Sequence, residues 1–347
     1  MIRYVLRGPI CRSGRFGIAF AAMNCRNATD STNGACPTIR LALITAGSVV
    51  LAGCATASGA PVGAEPATAP ATAAGSSDAP DTMRWLYGSG EAAAASIQTW
   101  RQIADYAVAV ASAGATPRSV PMGLPGYEGG IGAPSCTSDD GVQKPLAAVF
   151  DVDETVLLNT GYEYWQALSG KGFDPTEWGQ WERGGAGIAP PVPGAVTGIR
   201  RLREAGITVI FNTNRDTGSA AGTVAALEAA GVGPAVHRET LFLRGDDAMG
   251  GRKDGRRARI AETHCVIAMA GDNLGDFADV FNADESAIQK RRALVARGDY
   301  ARLWGNGWFL VPNPVYGAWQ EGTIDQVFPP ETRWRPQIGD APAIMEQ

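Results

Sequence analysis

The stretch Val149–Leu158, "VFDVDETVLL", sets Asp151, Asp153 and Glu154 in a row of otherwise apolar residues. Ahead of it runs "KPLAAVF", residues 144–150, which reads as a buried strand. A buried strand that ends in clustered carboxylates is costly. Unpaired charge beside a core is destabilising, and carboxylates held together repel. Something must offset that cost, and the rest of the chain shows what.

Other apolar runs also end in polar residues: "ITVIFN" before Thr213, "LFL" before Arg244 and "CVIAMAG" before Asp272. Helical patterns lie between them, at about 194–205, 218–230 and 254–262. Strand–helix alternation predicts an α/β fold, a doubly wound parallel sheet with helices on both faces. In such sheets, sites form beyond the carboxyl ends of the strands. Asp151, Thr213 and Asp272 all fall at such ends.

Residues 84–114 read as one or two helices, and 115–142 as a Gly/Pro-rich loop. Residues 157–193 interrupt the alternation with Tyr162, Tyr164, Trp165, Phe173, Trp178 and Trp181. They are expected to form a helical insertion near the site mouth, making a small subdomain with the N-terminal helices. A helix at about 285–303 and an apolar strand, "WFLVPN", come last.

Asp-x-Asp-x-Thr after a strand places two carboxylates on the turn that leaves it. "GDNLGD" adds Asp272 and, one turn later, Asp276. A hard divalent cation such as Mg²⁺, which takes oxygen ligands and keeps several waters, would offset the repulsion. Thr213 offers a hydroxyl donor. Lys253, in "GGRKDGRRARI", offers a cation for developing phosphoryl charge. The neighbouring Arg252, Arg256 and Arg257 read as a solvated basic helix face, and Glu154 as a structural residue outside the site. Asn214 and Arg215 read as loop-ordering residues.

"FDVDET", "FNTNR", the lysine of "RKDGRR" and "GDNLGDF" resemble, in order, the four motifs of the haloacid dehalogenase (HAD) superfamily. The resemblance is closer to its class C acid phosphatases, the lipoprotein e family of surface phosphatases and 5'-nucleotidases. "YGSGEAAA", the paired tryptophans of the insertion and "PNPVYGAW" also look like that group, and the likeness covers about residues 84–322. It implies a HAD-like phosphatase domain over 83–330 and a tail over 331–347. It implies Asp151 as nucleophile through an aspartyl-phosphate, and Asp153 as the acid that protonates the leaving group and then activates water. It implies Mg²⁺ on Asp151, the backbone carbonyl of Asp153, and Asp272, with Asp276 a ligand through water or an orienting residue. Thr213 and Lys253 would hold the phosphoryl oxygens, and Tyr316 would stack on a nucleobase in the substrate pocket; core packing is the alternative for Tyr316. The implied substrates are nucleoside monophosphates and other small phosphomonoesters. A broad acid phosphatase without nucleotide preference and a non-catalytic surface lipoprotein are the other readings. Asp153 speaks against a dehalogenase.

Composition narrows the choice. The net charge is −5 over 347 residues, with no basic stripe, which argues against nucleic acid as a partner. The two histidines, His237 and His264, weigh against phosphohistidine chemistry and His-rich metal sites. Near the N-terminus, Arg40 precedes "LALITAGSVVLA", too short for a membrane span of about 20 residues and suited to a signal segment. It ends in "LAGC", which resembles a bacterial lipobox. On that resemblance residues 1–53 are a signal region and Cys54 carries a lipid anchor. The protein would then sit in the bacterial cell envelope, at the outer membrane or facing the periplasm. The segment before the apolar run is long for such a signal, and a downstream translation start, for example at Met23, is the expectation it raises. Residues 54–82 are poor in groups able to pack and read as a flexible tether. Cys136 and Cys265 stand either paired or free, and a homo-oligomer is left open.

Overall fold

The computed structural model describes residues 78–126, 130–283 and 288–336. Cys54, the apolar run before it and most of the tether lie outside the described residues. Among the described residues no helix is long and apolar enough to cross a membrane.

The chain enters through two helices, α1 (Asp81–Gly88) and α2 (Gly90–Ser112), separated by Ser89. The Ser89 hydroxyl accepts from Ala92 N and so caps α2. Among the described residues no strand precedes this glycine-containing turn. The sheet follows as β1 (Leu146–Phe150), β2 (Thr208–Asp216), β3 (Leu241–Arg244), β4 (Cys265–Gly271) and β5 (Trp308–Leu310). All five are parallel, in the order β3-β2-β1-β4-β5. β1, at the centre, is buried on both faces, which is why it reads as an unbroken apolar run.

Alternation along β1 feeds two cores. Ala148 and Phe150 face Trp100 and Ile103 of α2, together with α5 (Ala195–Glu204) and α6 (Ala220–Ala229). Ala147 and Val149 face the other layer, with Ile260 of α7 (Asp254–Thr263) and the aromatic group Phe277, Phe281, Tyr300 and Trp308. Trp100 lies 5.1 Å from the Phe150 ring. A Cβ on Gly198 would come within 2.6 Å of Trp100, so glycine lets α5 close onto α2. α2 therefore belongs to the main helical layer, whereas α1 reaches the site.

The insertion is α3 (Thr160–Ser169) and α4 (Pro175–Gly184). Asp174 caps α4 by accepting from Thr176 N and Glu177 N, with Pro175 in the first turn. Gly222 of α6 meets the end of α4 so closely that a Cβ would lie 2.3 Å from the Glu182 carbonyl. This seats the insertion beside the carboxyl end of the sheet. The helix expected at about 285–303 is two short ones among the described residues, α8 (Ile288–Val295) and α9 (Gly298–Ala301). Among the described residues after β5 the chain is irregular apart from α10 (Ile324–Val327) and short 3₁₀ turns.

Cys136 and Cys265 form a disulfide, which settles the alternative left open by the sequence. It ties the loop before β1 to the first residue of β4, at the end of that strand away from Asp272.

Candidate active site

Register brings the strand ends together. Phe150 pairs with both Phe211 and Ala270, so Asp151 emerges beside Asn212 and Gly271. Thr213 lies inside β2 as observed, rather than after it, but beyond the last residue paired with β1. Asp272 directly follows β4.

One oxygen each from Asp151, Asp272 and Asp276 fall within 4.8 Å of one another. Lys253 Nζ donates to Asp151 Oδ1, and to Asp276 Oδ1 at 2.7 Å. The second oxygen of Asp276 accepts from Asn273 N at 2.9 Å. Thr155 Oγ1 bridges Asp151 Oδ2 (3.5 Å) and Asp272 Oδ1 (3.3 Å), and Asn313 Nδ2 donates to Asp272 Oδ2 at 2.7 Å. Burial pushes the Asp151 carboxyl up to about 7 against the pull of Lys253, with Asp276 and Asp153 adding to the rise. Asp272 is raised by burial, then by Asp276 and Asp151. Burial opposes the Lys253 ammonium, but Asp151 and Asp276 outweigh it and hold it above its usual value. One lysine thus pairs with two of these three clustered carboxylates. The excess of oxygen donors fits a hard divalent cation.

Asp153 points elsewhere. Its Oδ1 accepts from Arg215 Nε (2.9 Å) and Nη2 (2.8 Å) and from Asn159 Nδ2 (3.0 Å). Its Oδ2 has only the long contact from Thr213 Oγ1, at 3.4 Å. The donors converge on one oxygen and leave the other with that single long contact. Asn159 Oδ1 in turn accepts from Trp181 Nε1 at 2.7 Å and Arg215 Nη2 at 3.1 Å. Trp178 lies 5.9 Å from the Arg215 guanidinium. The insertion therefore braces Asp153 through Asn159 and Arg215.

One sequence expectation is corrected, that of Arg256 and Arg257, while Glu154 has the structural role read for it. Glu154 is buried at the centre of the site's support, with φ of 54°. Its Oε1 accepts from Asn159 N (2.8 Å) and Tyr87 OH (3.1 Å), and its Oε2 from Asn159 Nδ2 (3.0 Å) and Tyr316 OH. Burial, then Glu154, raises both tyrosine hydroxyls, so they stay protonated and donate. The Tyr316 hydroxyl is thereby committed to Glu154, while its ring is half-buried. Arg256 and Arg257 are not a solvated face: they are 0% and 1% exposed, because backbone carbonyls and carboxylates surround their guanidinium groups.

The structure thus gathers Asp151, Asp153, Thr213, Lys253, Asp272 and Asp276 at one end of the sheet, with Tyr316 joined through Glu154. The sequence reading gave no role to Tyr87, Thr155, Asn159 or Asn313, and only a loop role to Arg215. Thr155, last in Asp-x-Asp-x-Thr, and Asn313, in "PNPVYGAW", carried a motif signal.

Residues 93–319 match the family described as HAD superfamily, subfamily IIIB (acid phosphatase). The class C acid phosphatase from Bacillus anthracis is similar in structure: TM-score 0.54, 25% identity, covering 69% of this chain and 85% of that one. That enzyme with tungstate bound is similar with a TM-score of 0.52, at 25% identity and the same coverage. The chain belongs to the HAD subfamily IIIB acid phosphatases and is a phosphoric monoester hydrolase.

Proposed function

We propose that this hydrolase attacks phosphomonoesters with Asp151, uses Asp153 as general acid and then base, and prefers nucleoside 5'-monophosphates. The observation that carries the assignment is the contrast between the two aspartates. Asp151 sits among carboxylates and Lys253, where a phosphoryl group would also meet Thr213. Asp153 keeps one oxygen locked by Arg215 and Asn159 and the other free to move a proton. Asp151 Oδ2 would form the bond to phosphorus as the ester oxygen leaves with a proton from Asp153. Asp153 would then take a proton from water, which releases phosphate and restores Asp151. Tungstate, a tetrahedral oxyanion shaped like phosphate, is bound by the similar Bacillus anthracis enzyme, and this supports the oxyanion assignment.

Asp151, the Asp153 carbonyl and Asp272 would hold Mg²⁺. Asp276, held by Lys253 Nζ and Asn273 N, would be a ligand through water or an orienting residue. When bound, Mg²⁺ would neutralise charge on the phosphoryl oxygens. Phosphoryl transfer is largely positioning and charge stabilisation, so this set is sufficient. We place the protein in the bacterial envelope on a lipid at Cys54. The disulfide supports that reading, since such bonds persist in oxidising compartments.

The test is phosphate release from AMP and from p-nitrophenyl phosphate, with Mg²⁺, with EDTA, and in Asp151→Asn. Turnover that needs Mg²⁺ and is lost in the variant is expected, with AMP the better substrate. Equal turnover of the two substrates would leave a broad phosphatase. An Asp151→Asn enzyme as active as wild type would refute the nucleophile.

A further inference from the structure

Two consecutive arginines on the first turns of α7 reach opposite sides of the site. Arg256 Nη1 donates to the Thr213 carbonyl at 2.5 Å, and its Nη2 donates to Asn214 Oδ1 at 2.7 Å. Asn214 Nδ2 returns a bond to the Gly251 carbonyl at 2.9 Å. Arg257 Nη1 donates to the carbonyls of Gly275 (3.0 Å) and Asp276 (2.7 Å). Its remaining nitrogens pair with Asp254 and Asp279. Asp279 in turn accepts from Lys253 N at 2.8 Å and Asp254 N at 3.1 Å. The helix that carries Lys253 is therefore bolted by one arginine to the Thr213 segment and by the next to the Asp272–Asp276 loop.

We propose that Arg256 and Arg257 are positioning residues with separate duties: Arg256 fixes the oxyanion side of the site, and Arg257 fixes the cation side. Neither reaches the Asp151 carboxylate, so each acts through the backbone it holds. A buried ion-pair network that served stability alone would loosen both sides together. Two guanidinium groups on two different segments predict losses that separate. A planar guanidinium bridges two acceptors in fixed geometry, which a lysine cannot do.

The inference rests on the phosphatase reading for its roles, but its test reads binding to the full-length protein in detergent. Mg²⁺ affinity and tungstate affinity in saturating Mg²⁺ are measured by calorimetry in wild type, Arg256→Gln and Arg257→Gln. Arg259→Gln, an exposed position on the same helix, is the control. Arg256→Gln should weaken tungstate about tenfold, near the loss of one charge-assisted hydrogen bond, and leave Mg²⁺ within twofold. Arg257→Gln should do the reverse. Should either glutamine variant fail to fold, Arg256→Lys and Arg257→Lys are read in the same way. Equal losses of both ligands in both variants, or no loss in either, would overturn the proposal. A wild type that binds both ligands but releases no phosphate would count against the function and not against the brace.

Discussion

Replacing Arg215 with methionine should impair transfer from an ester whose leaving group needs a proton far more than from one that does not. Arg215 is 2% exposed and places two nitrogens, at 2.9 and 2.8 Å, on one oxygen of Asp153. Breaking a buried ion pair costs about 3–5 kcal/mol. Asp153 is 15% exposed and keeps Asn159, so about 2–3 kcal/mol of stability is expected to be lost. General acid catalysis is worth roughly 10²–10⁴-fold. Arg215 only aims the acid, so kcat/KM for AMP should fall about 10–100-fold. The quantity kcat/KM reports steps up to the first transfer, where the leaving group departs. p-Nitrophenolate leaves without a proton, so its kcat/KM should fall about threefold or less. The assay compares the two substrates in wild type and Arg215→Met at saturating Mg²⁺. Equal losses on both, or none on AMP, would refute the claim that this contact orients a general acid.

Adding Mg²⁺ should raise the melting temperature by stabilising the fold about 2.7 kcal/mol at a hundredfold excess over Kd, and Asp272→Asn should abolish the shift; a shift that survives in that variant would place the cation elsewhere. Metal-free protein should gain stability on acidification. Glu163 is pushed up to about 7 by burial and by Glu154, so its folded form binds a proton that the unfolded chain releases from about pH 4.5. Stability is therefore full below that value and falls as pH rises to about 7, by at most about 3 kcal/mol for this one group. Glu163→Gln should flatten the melting profile over that window, and an unchanged slope would assign the effect to other groups. Reducing the Cys136–Cys265 bond should cost about 2–4 kcal/mol in a melt yet leave kcat near wild type, because the bond lies at the far end of β4 from Asp272; a large fall in kcat of the folded reduced protein would contradict that. Tyr316→Ala should raise KM for AMP more than for p-nitrophenyl phosphate, while Tyr316→Phe, which removes the bond to Glu154, should lower stability with less effect on that ratio. Equal KM effects of the alanine change on both substrates would remove Tyr316 from the pocket.

The residues proposed to do the chemistry were legible in the sequence, and those that hold them were not. Asp151, Thr213 and Asp272 each follow or end an apolar run, and the helices between the runs allow only a parallel sheet with those ends on one side. That signal is local: a strand, its end and the polar residue that follows. The supports are not local. Arg215 finds Asp153 across 62 positions, and Tyr316 finds Glu154 across 162. Arg256 and Arg257 looked like a solvated basic turn because charge alone predicts exposure. Only the fold supplies the carbonyls of Thr213, Gly275 and Asp276 that make burial tolerable. The pairing of Cys136 with Cys265, over 129 positions, is of the same kind. Composition and hydrophobic period thus determined the sheet and the polar ends of its strands, while the family motifs, rather than period, singled out Lys253. Tertiary packing decided which oxygen of Asp153 is free, what holds Lys253 in place and where the charged helix faces, because each depends on partners that the chain brings together only once it has folded.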